Sequence, residues 1–128
     1  MPSSRPIGRL RDIVDNCERI ERHIAGMDFD AYSRDDKTRD AVERCLQRIS
    51  EAAYKLGSYL DALYPAARWK ATRGVGNPLR HQYDSISDRE IWDGVLQTLP
   101  GIHQAALAEI ARLQAMPDQA GPLDDPSS

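Results

Sequence analysis

The residues best suited to chemistry are gathered in Asn77-Pro78-Leu79-Arg80-His81-Gln82-Tyr83. From Ala66 to Tyr83 the sequence places Arg68, Lys70, Arg73 and Arg80 with no Asp or Glu among them, inside a chain whose formal net charge is -3. A histidine and a tyrosine therefore sit in a local anion-attracting stretch. That combination suits work on a phosphodiester: the cations hold phosphates, and an imidazole that exists in either protonation state near neutral pH moves protons. The same residues also fit a plainer role, with His81 and Tyr83 packing at a helix end and the arginines keeping a face wet. Charge and composition alone leave both readings open.

The backbone around these residues has its own signals. Gly74-Val75-Gly76 loosens the chain, and Asn77 followed by Pro78 is a helix start, with Asn at the N-cap and Pro at the first helical position. A helix beginning there presents free N–H groups beside Gly76, a seat for a phosphate. Asn77 and His81, four residues apart, share a face. Tyr83 points about 200° away from His81 on a regular helix, so the two serve separate roles rather than one dyad.

The elements that must position this segment read almost entirely as helix. Ile7, Leu10, Ile13-Val14, Cys17, Ile20 and Ile24 recur every three or four residues, with Gly26 as a stop. The next helix is expected from about Asp36 to Leu63, ended by Pro65, with a short helical turn or tight loop over Met27 to Asp35. A late helix opens at Ser87-Asp88-Arg89-Glu90 as a capping box and carries Ile91, Val95-Leu96, Leu99, Ile102, Ala106, Ile110 and Leu113 on one side. Pro100-Gly101 marks a kink or break within it. The pattern predicts an all-α bundle of four or five helices with antiparallel long helices, a single domain over residues 1–116, and a disordered tail over 117–128.

Composition narrows the class. Hydrophobic residues make up 41% and charged residues 29%, an ordinary globular balance that argues against disorder over most of the length. The apolar runs are too short to span a bilayer, and the N-terminal arginines interrupt any secretory signal, so a cytoplasmic protein is expected. Cys17 and Cys45 fall on apolar stripes and read as buried reduced thiols. With His23 and His103 isolated on helices, neither a metal site nor a cofactor is expected. Trp69 and Trp92 read as core or interface aromatics, not as base-stacking platforms.

The segment Arg73-Gly74-Val75-Gly76-Asn77-Pro78-Leu79-Arg80-His81-Gln82-Tyr83-Asp84 resembles the signature of HepT-like proteins, the toxin half of HepT/MntA toxin–antitoxin pairs within the HEPN superfamily. The resemblance extends from about residue 7 to residue 113. It includes Thr38-Arg39-Asp40-Ala41-Val42, Ser50-Glu51-Ala52-Ala53-Tyr54-Lys55-Leu56, and Trp69 before the motif.

The resemblance implies a bundle of HEPN type that forms a homodimer with the motif helices facing each other across a cleft. It implies metal-independent endoribonuclease chemistry on an RNA substrate, by attack of the ribose 2'-hydroxyl on the adjacent phosphorus. His81 maps onto the family histidine. Tyr83 maps onto the tyrosine to which a minimal nucleotidyltransferase antitoxin, MntA-like, adds AMP. Asn77 belongs to the motif, and Arg73 and Arg80 are the candidate catalytic cations. Arg68, Lys70, Arg73 and Arg80 are the candidate phosphate contacts, and Glu51 resembles the family glutamate placed to orient a motif arginine, a position that also fits a solvated helix face. One departure stands out: Gly76 occupies the position just before Asn77 where the family carries its arginine, and Arg73 lies further from His81 than the usual spacing. A catalytically weak or inactive dimer that serves as the partner-binding subunit of a nucleotidyltransferase complex is the competing function.

Overall fold

The structure is a computed structural model and describes residues 5–74 and 87–116. The expectations for Gly76, Asn77, Arg80, His81 and Tyr83, and for the tail over 117–128, lie outside the described residues.

Helix α1 (Pro6–Ile24) begins with proline in its first turn and ends before Gly26, whose φ of +79° suits glycine. Helix α2 (Phe29–Arg34) is capped by Asp28, and α3 (Asp36–Leu56) by Asp35, each carboxylate accepting a backbone N–H three residues on. The short segment between the long helices is thus helical, as one of the two sequence expectations had it. Leu10, Ile13, Val14, Cys17 and Ile20 of α1 and Val42, Cys45, Leu46, Ile49, Ala53 and Leu56 of α3 belong to one buried core as the two helices pack together antiparallel. Each fully buried Leu or Ile stabilises by about 1.5–3 kcal/mol relative to exposure, so this seam is a main source of stability.

The single helix expected from Asp36 to Leu63 is in fact two. Gly57 adopts φ 79° and ψ -152°, a conformation open to glycine and strained for other residues, and its N–H returns to the carbonyls of Ala53 and Tyr54. The chain turns there into α4 (Tyr59–Leu63), then a 3-10 turn (Pro65–Ala67). Arg68 follows in the left-handed region at φ 62°, ψ 47°, and residues 69–74 are helical again, here called α5.

Helix α6 (Asp88–Gln97) carries the capping box in full: Ser87 Oγ accepts from the Glu90 N–H, and Glu90 Oε1 accepts from the Ser87 N–H. The break falls at Thr98, so that Leu99 and Pro100 open α7 (Leu99–Gln114), where a proline costs no hydrogen bond. Leu96, expected on the apolar side, is half exposed, because it stands about 100° round α6 from the neighbouring Val95, which is buried with Ile91 and Trp92. Helix α7 packs on α1, and His103 of α7 reaches Glu18 at 3.1 Å and Glu21 at 3.5 Å. Trp92 of α6 stacks near Tyr32 of α2 at 5.0 Å between ring centroids and meets Phe29 edge-on at 6.4 Å. Arg39 of α3 ties the same corner, donating to the Ser33 carbonyl at 2.6 Å and pairing with Asp88 at 3.3 Å. Among the described residues there is no strand, and no helix is long and apolar enough to cross a membrane.

Candidate functional site

Helix α5 carries the sequence toward His81, and the structure shows how its described part is seated. Trp69 is 2% exposed and Thr72 is buried, so one face of this short helix meets the core. That placement confirms Trp69 as a core aromatic, as it does Trp92. From α3, Ser50 donates its hydroxyl to the carbonyl of Arg73 at 2.8 Å. This interhelical bond ties α5 to the middle of the bundle. Ser50 is fully buried on an otherwise apolar stripe, which is the signal that marks it, although its place on that stripe alone does not say what it touches.

The cations nominated by sequence separate into distinct roles. Arg68 and Lys70 are exposed on either side of the buried Trp69. Arg68 holds a left-handed backbone without being glycine or asparagine, a conformation that costs roughly 1–2 kcal/mol and must be repaid by the packing it permits. Arg73 is engaged: its Nη1 and Nη2 donate to Asp61 Oδ1 and Oδ2 at 2.8 and 2.9 Å, and Nη1 also reaches the Gly57 carbonyl at 3.3 Å. The planar guanidinium thus forks onto a carboxylate and staples α5 to the α3–α4 corner. The hydrogen bond from Arg73, ahead of its charge and that of Lys70, holds the Asp61 carboxyl below the usual range. Sequence distance hid this partner, since Asp61 lies just upstream of the acid-free stretch. Glu51 pairs with Lys55 one turn along α3 at 3.4 Å and is half exposed.

A second polar cluster braces the segment that delivers α5. Glu109 of α7 has no exposed surface, and its carboxylate accepts from Tyr59 at 3.0 Å, Tyr64 at 3.0 Å, and Arg112 at 2.8 and 2.7 Å. Burial by itself pushes the Glu109 carboxyl up, but the hydrogen bonds from Arg112, Tyr64 and Tyr59 together bring it below the ordinary glutamate value. Both tyrosines come from the turn between Gly57 and Pro65, so this buried carboxylate anchors α4 to α7. Sequence reasoning missed Glu109 because an acidic residue between Ala108 and Ile110 reads as a solvated position.

The two cysteines are free and buried, as expected. Burial, and then the nearby Glu21 and Glu18, push the Cys17 thiol up to about 12, so it stays protonated and inert. Among the described residues no group of three or more His, Cys, Asp or Glu side chains is placed to hold a metal ion.

Residues 13–108 match the profile of the family described as "Ribonuclease HepT-like". The chain belongs to the HepT-like ribonuclease family. It is 34% identical to a Methanocaldococcus jannaschii protein named "Putative RNase" over 78% of this chain and 83% of that protein. It is 27% identical to a Caldanaerobacter subterraneus protein of the same description over 81% of this chain and 91% of the relative. It is 29% identical to "Probable ribonuclease HepT" of Thermococcus cleftensis over 73% of this chain and 84% of the relative. No solved structure matches the chain significantly. The HepT-like match covers the second half of α1, all of α3 and α5, and α7 as far as residue 108.

Proposed function

We propose that this HepT-like protein is a metal-independent endoribonuclease, the toxin of a toxin–antitoxin pair, acting in the cytoplasm as a homodimer with a composite cleft. The reading is carried by the family match across the bundle, which includes His81 and the cationic segment leading to it. In the proposed reaction the ribose 2'-oxygen bonds to the adjacent phosphorus as the P–O5' bond breaks. His81 takes the 2'-hydroxyl proton and returns a proton to the departing 5'-oxygen, while Arg80 and the exposed Arg68 and Lys70 hold phosphates. The products are a 2',3'-cyclic phosphate and a 5'-hydroxyl. Neutralisation follows when a nucleotidyltransferase joins the Tyr83 phenol oxygen to the α-phosphorus of ATP and releases pyrophosphate. The attached AMP brings negative charge and bulk into a site that attracts RNA phosphates.

The test is incubation of the purified protein with RNA in EDTA, followed by end-group analysis. Cleavage should persist, yield 2',3'-cyclic ends and vanish in His81→Ala. Metal-dependent cutting, or cutting that survives His81→Ala, overturns the mechanism. With the cognate transferase and ATP, intact mass should rise by AMP units in the parent and stay constant in Tyr83→Phe.

A second reading is favoured by one specific observation. Arg73, the upstream substitute for the arginine absent at Gly76, is held by Asp61 in a bidentate pair. A dimer of weak or no activity that serves as the binding subunit for the nucleotidyltransferase follows from that engagement. Tight complex formation with the transferase in the absence of any RNA cleavage supports this second reading.

A further inference from the structure

A groove of about 410 Å³ runs between α1 and α3. Its walls carry three arginines, Arg9 from α1 and Arg44 and Arg48 from α3, together with Asn16, Asp12 and Glu51. Arg44 and Arg48 stand one turn apart, about 6 Å along the axis, so their guanidiniums line one wall in series. Arg44 donates to Gln47 at 3.3 Å, and among the described residues none of the three arginines has a carboxylate partner. Glu51 is paired with Lys55, which leaves the groove with a cationic balance.

Asn16 gives this groove a second kind of specificity. It is only 7% exposed, and its Nδ2 donates to the Asp12 carbonyl at 2.8 Å. That bond fixes the amide orientation, because the flipped form sets one carbonyl oxygen against another. The remaining atom, Oδ1, is a buried acceptor with no donor. Buried acceptors are rarely left unmatched, and one on a residue that lines a groove is a place for an O–H or N–H from a ligand. Guanidiniums in series with one unmatched acceptor among the lining residues fit a ligand with repeated phosphates and a neighbouring hydroxyl. A ribose 2'-hydroxyl is that donor, and it is the group that separates RNA from DNA. At its α3 end the groove reaches Glu51, next in sequence to Ser50, which holds α5.

We propose that the α1–α3 groove is an exosite for the RNA sugar–phosphate backbone, in which Arg9, Arg44 and Arg48 hold phosphates and Asn16 Oδ1 accepts a ribose 2'-hydroxyl. The proposal rests on the ribonuclease reading for its substrate class. Asp12 and Glu51 flank the phosphate path and disfavour indiscriminate polyanion binding.

The experiment measures binding of the full chain, in EDTA, to a single-stranded RNA of about 20 nucleotides, longer than common single-strand site sizes. The same sequence in 2'-deoxy form is the comparison. Arg44→Gln combined with Arg48→Gln should weaken RNA binding about tenfold and flatten the plot of log affinity against log salt by roughly 1.4, two single-strand phosphate contacts. Asn16→Ala should narrow the preference for RNA over its deoxy counterpart several-fold, an effect that loss of a phosphate contact does not produce. Thermal melting of each variant shows that the bundle is folded. Parental affinity and salt slope in the double arginine variant overturn the exosite. Parental RNA preference in Asn16→Ala overturns the hydroxyl contact. If the parent binds RNA without cutting it and the double variant loses binding, the exosite stands and the nuclease reading falls. If the parent cuts RNA and the double variant binds like the parent, the nuclease reading stands and the exosite falls.

Discussion

At the residue scale, Glu109 shows how a single buried charge holds a loop that sequence reasoning treated as a helix continuation. Its carboxylate satisfies two phenols and one guanidinium, so replacing it leaves several donors without an acceptor. Glu109→Gln should lower folding stability by about 1–3 kcal/mol, the order expected when hydrogen bonds to a buried charged acceptor are weakened or lost. Urea denaturation of parent and variant checks the figure. The folded carboxyl lies below its ordinary value, so its contribution is complete at neutral pH. It is lost as acidification passes below about pH 4.3, the ordinary glutamate value, toward the lower folded value. The parent should therefore lose stability across that interval, and Glu109→Gln should lose correspondingly less. Gly76 offers a residue-scale test of the proposed chemistry: Gly76→Arg should raise RNA cleavage, measured by single-turnover kinetics, if a missing guanidinium is what limits the site.

At the element scale, the corner between α3 and α4 depends on one backbone conformation. Gly57 ends α3 with φ 79° and ψ -152°, and its carbonyl accepts from Arg73. Gly57→Ala should cost about 1–3 kcal/mol because the β-carbon is strained at those angles although the space around it is open. A shift in the urea midpoint with an unchanged slope is the expected result. Arg73→Ala should lower stability too, since its guanidinium joins α5 to Asp61. A variant that keeps parental stability while losing only RNA affinity would instead return Arg73 to the role of a phosphate contact.

At the scale of the whole molecule, a dimer is predicted at micromolar concentration, with mass by light scattering at moderate salt as the check. A strict monomer removes the composite cleft. RNA affinity should fall steeply with salt, and Arg68→Ala and Lys70→Ala should each flatten the slope by roughly 0.7, one single-strand contact apiece. Their exposure beside the buried Trp69 is what makes them available.

Local signals determined the helices. The three-to-four-residue spacing of Leu10, Ile13, Cys17 and Ile20 and the Ser87–Glu90 box each act within a few residues, so they were legible in the chain. The basic stretch and its histidine were legible as types and spacing, and the described half of that stretch divides into exposed Arg68 and Lys70 and an engaged Arg73. Tertiary structure alone decided that division, because Asp61 meets Arg73 through a turn at Gly57 whose geometry no local pattern encodes. It also decided that Glu109 is buried among tyrosines, that Ser50 anchors α5, and that Arg9, Asn16, Arg44 and Arg48 share one groove. Spacing along a helix specifies which residues share a face. Which two faces meet, and which charges they bury, is set by packing between elements far apart in the chain.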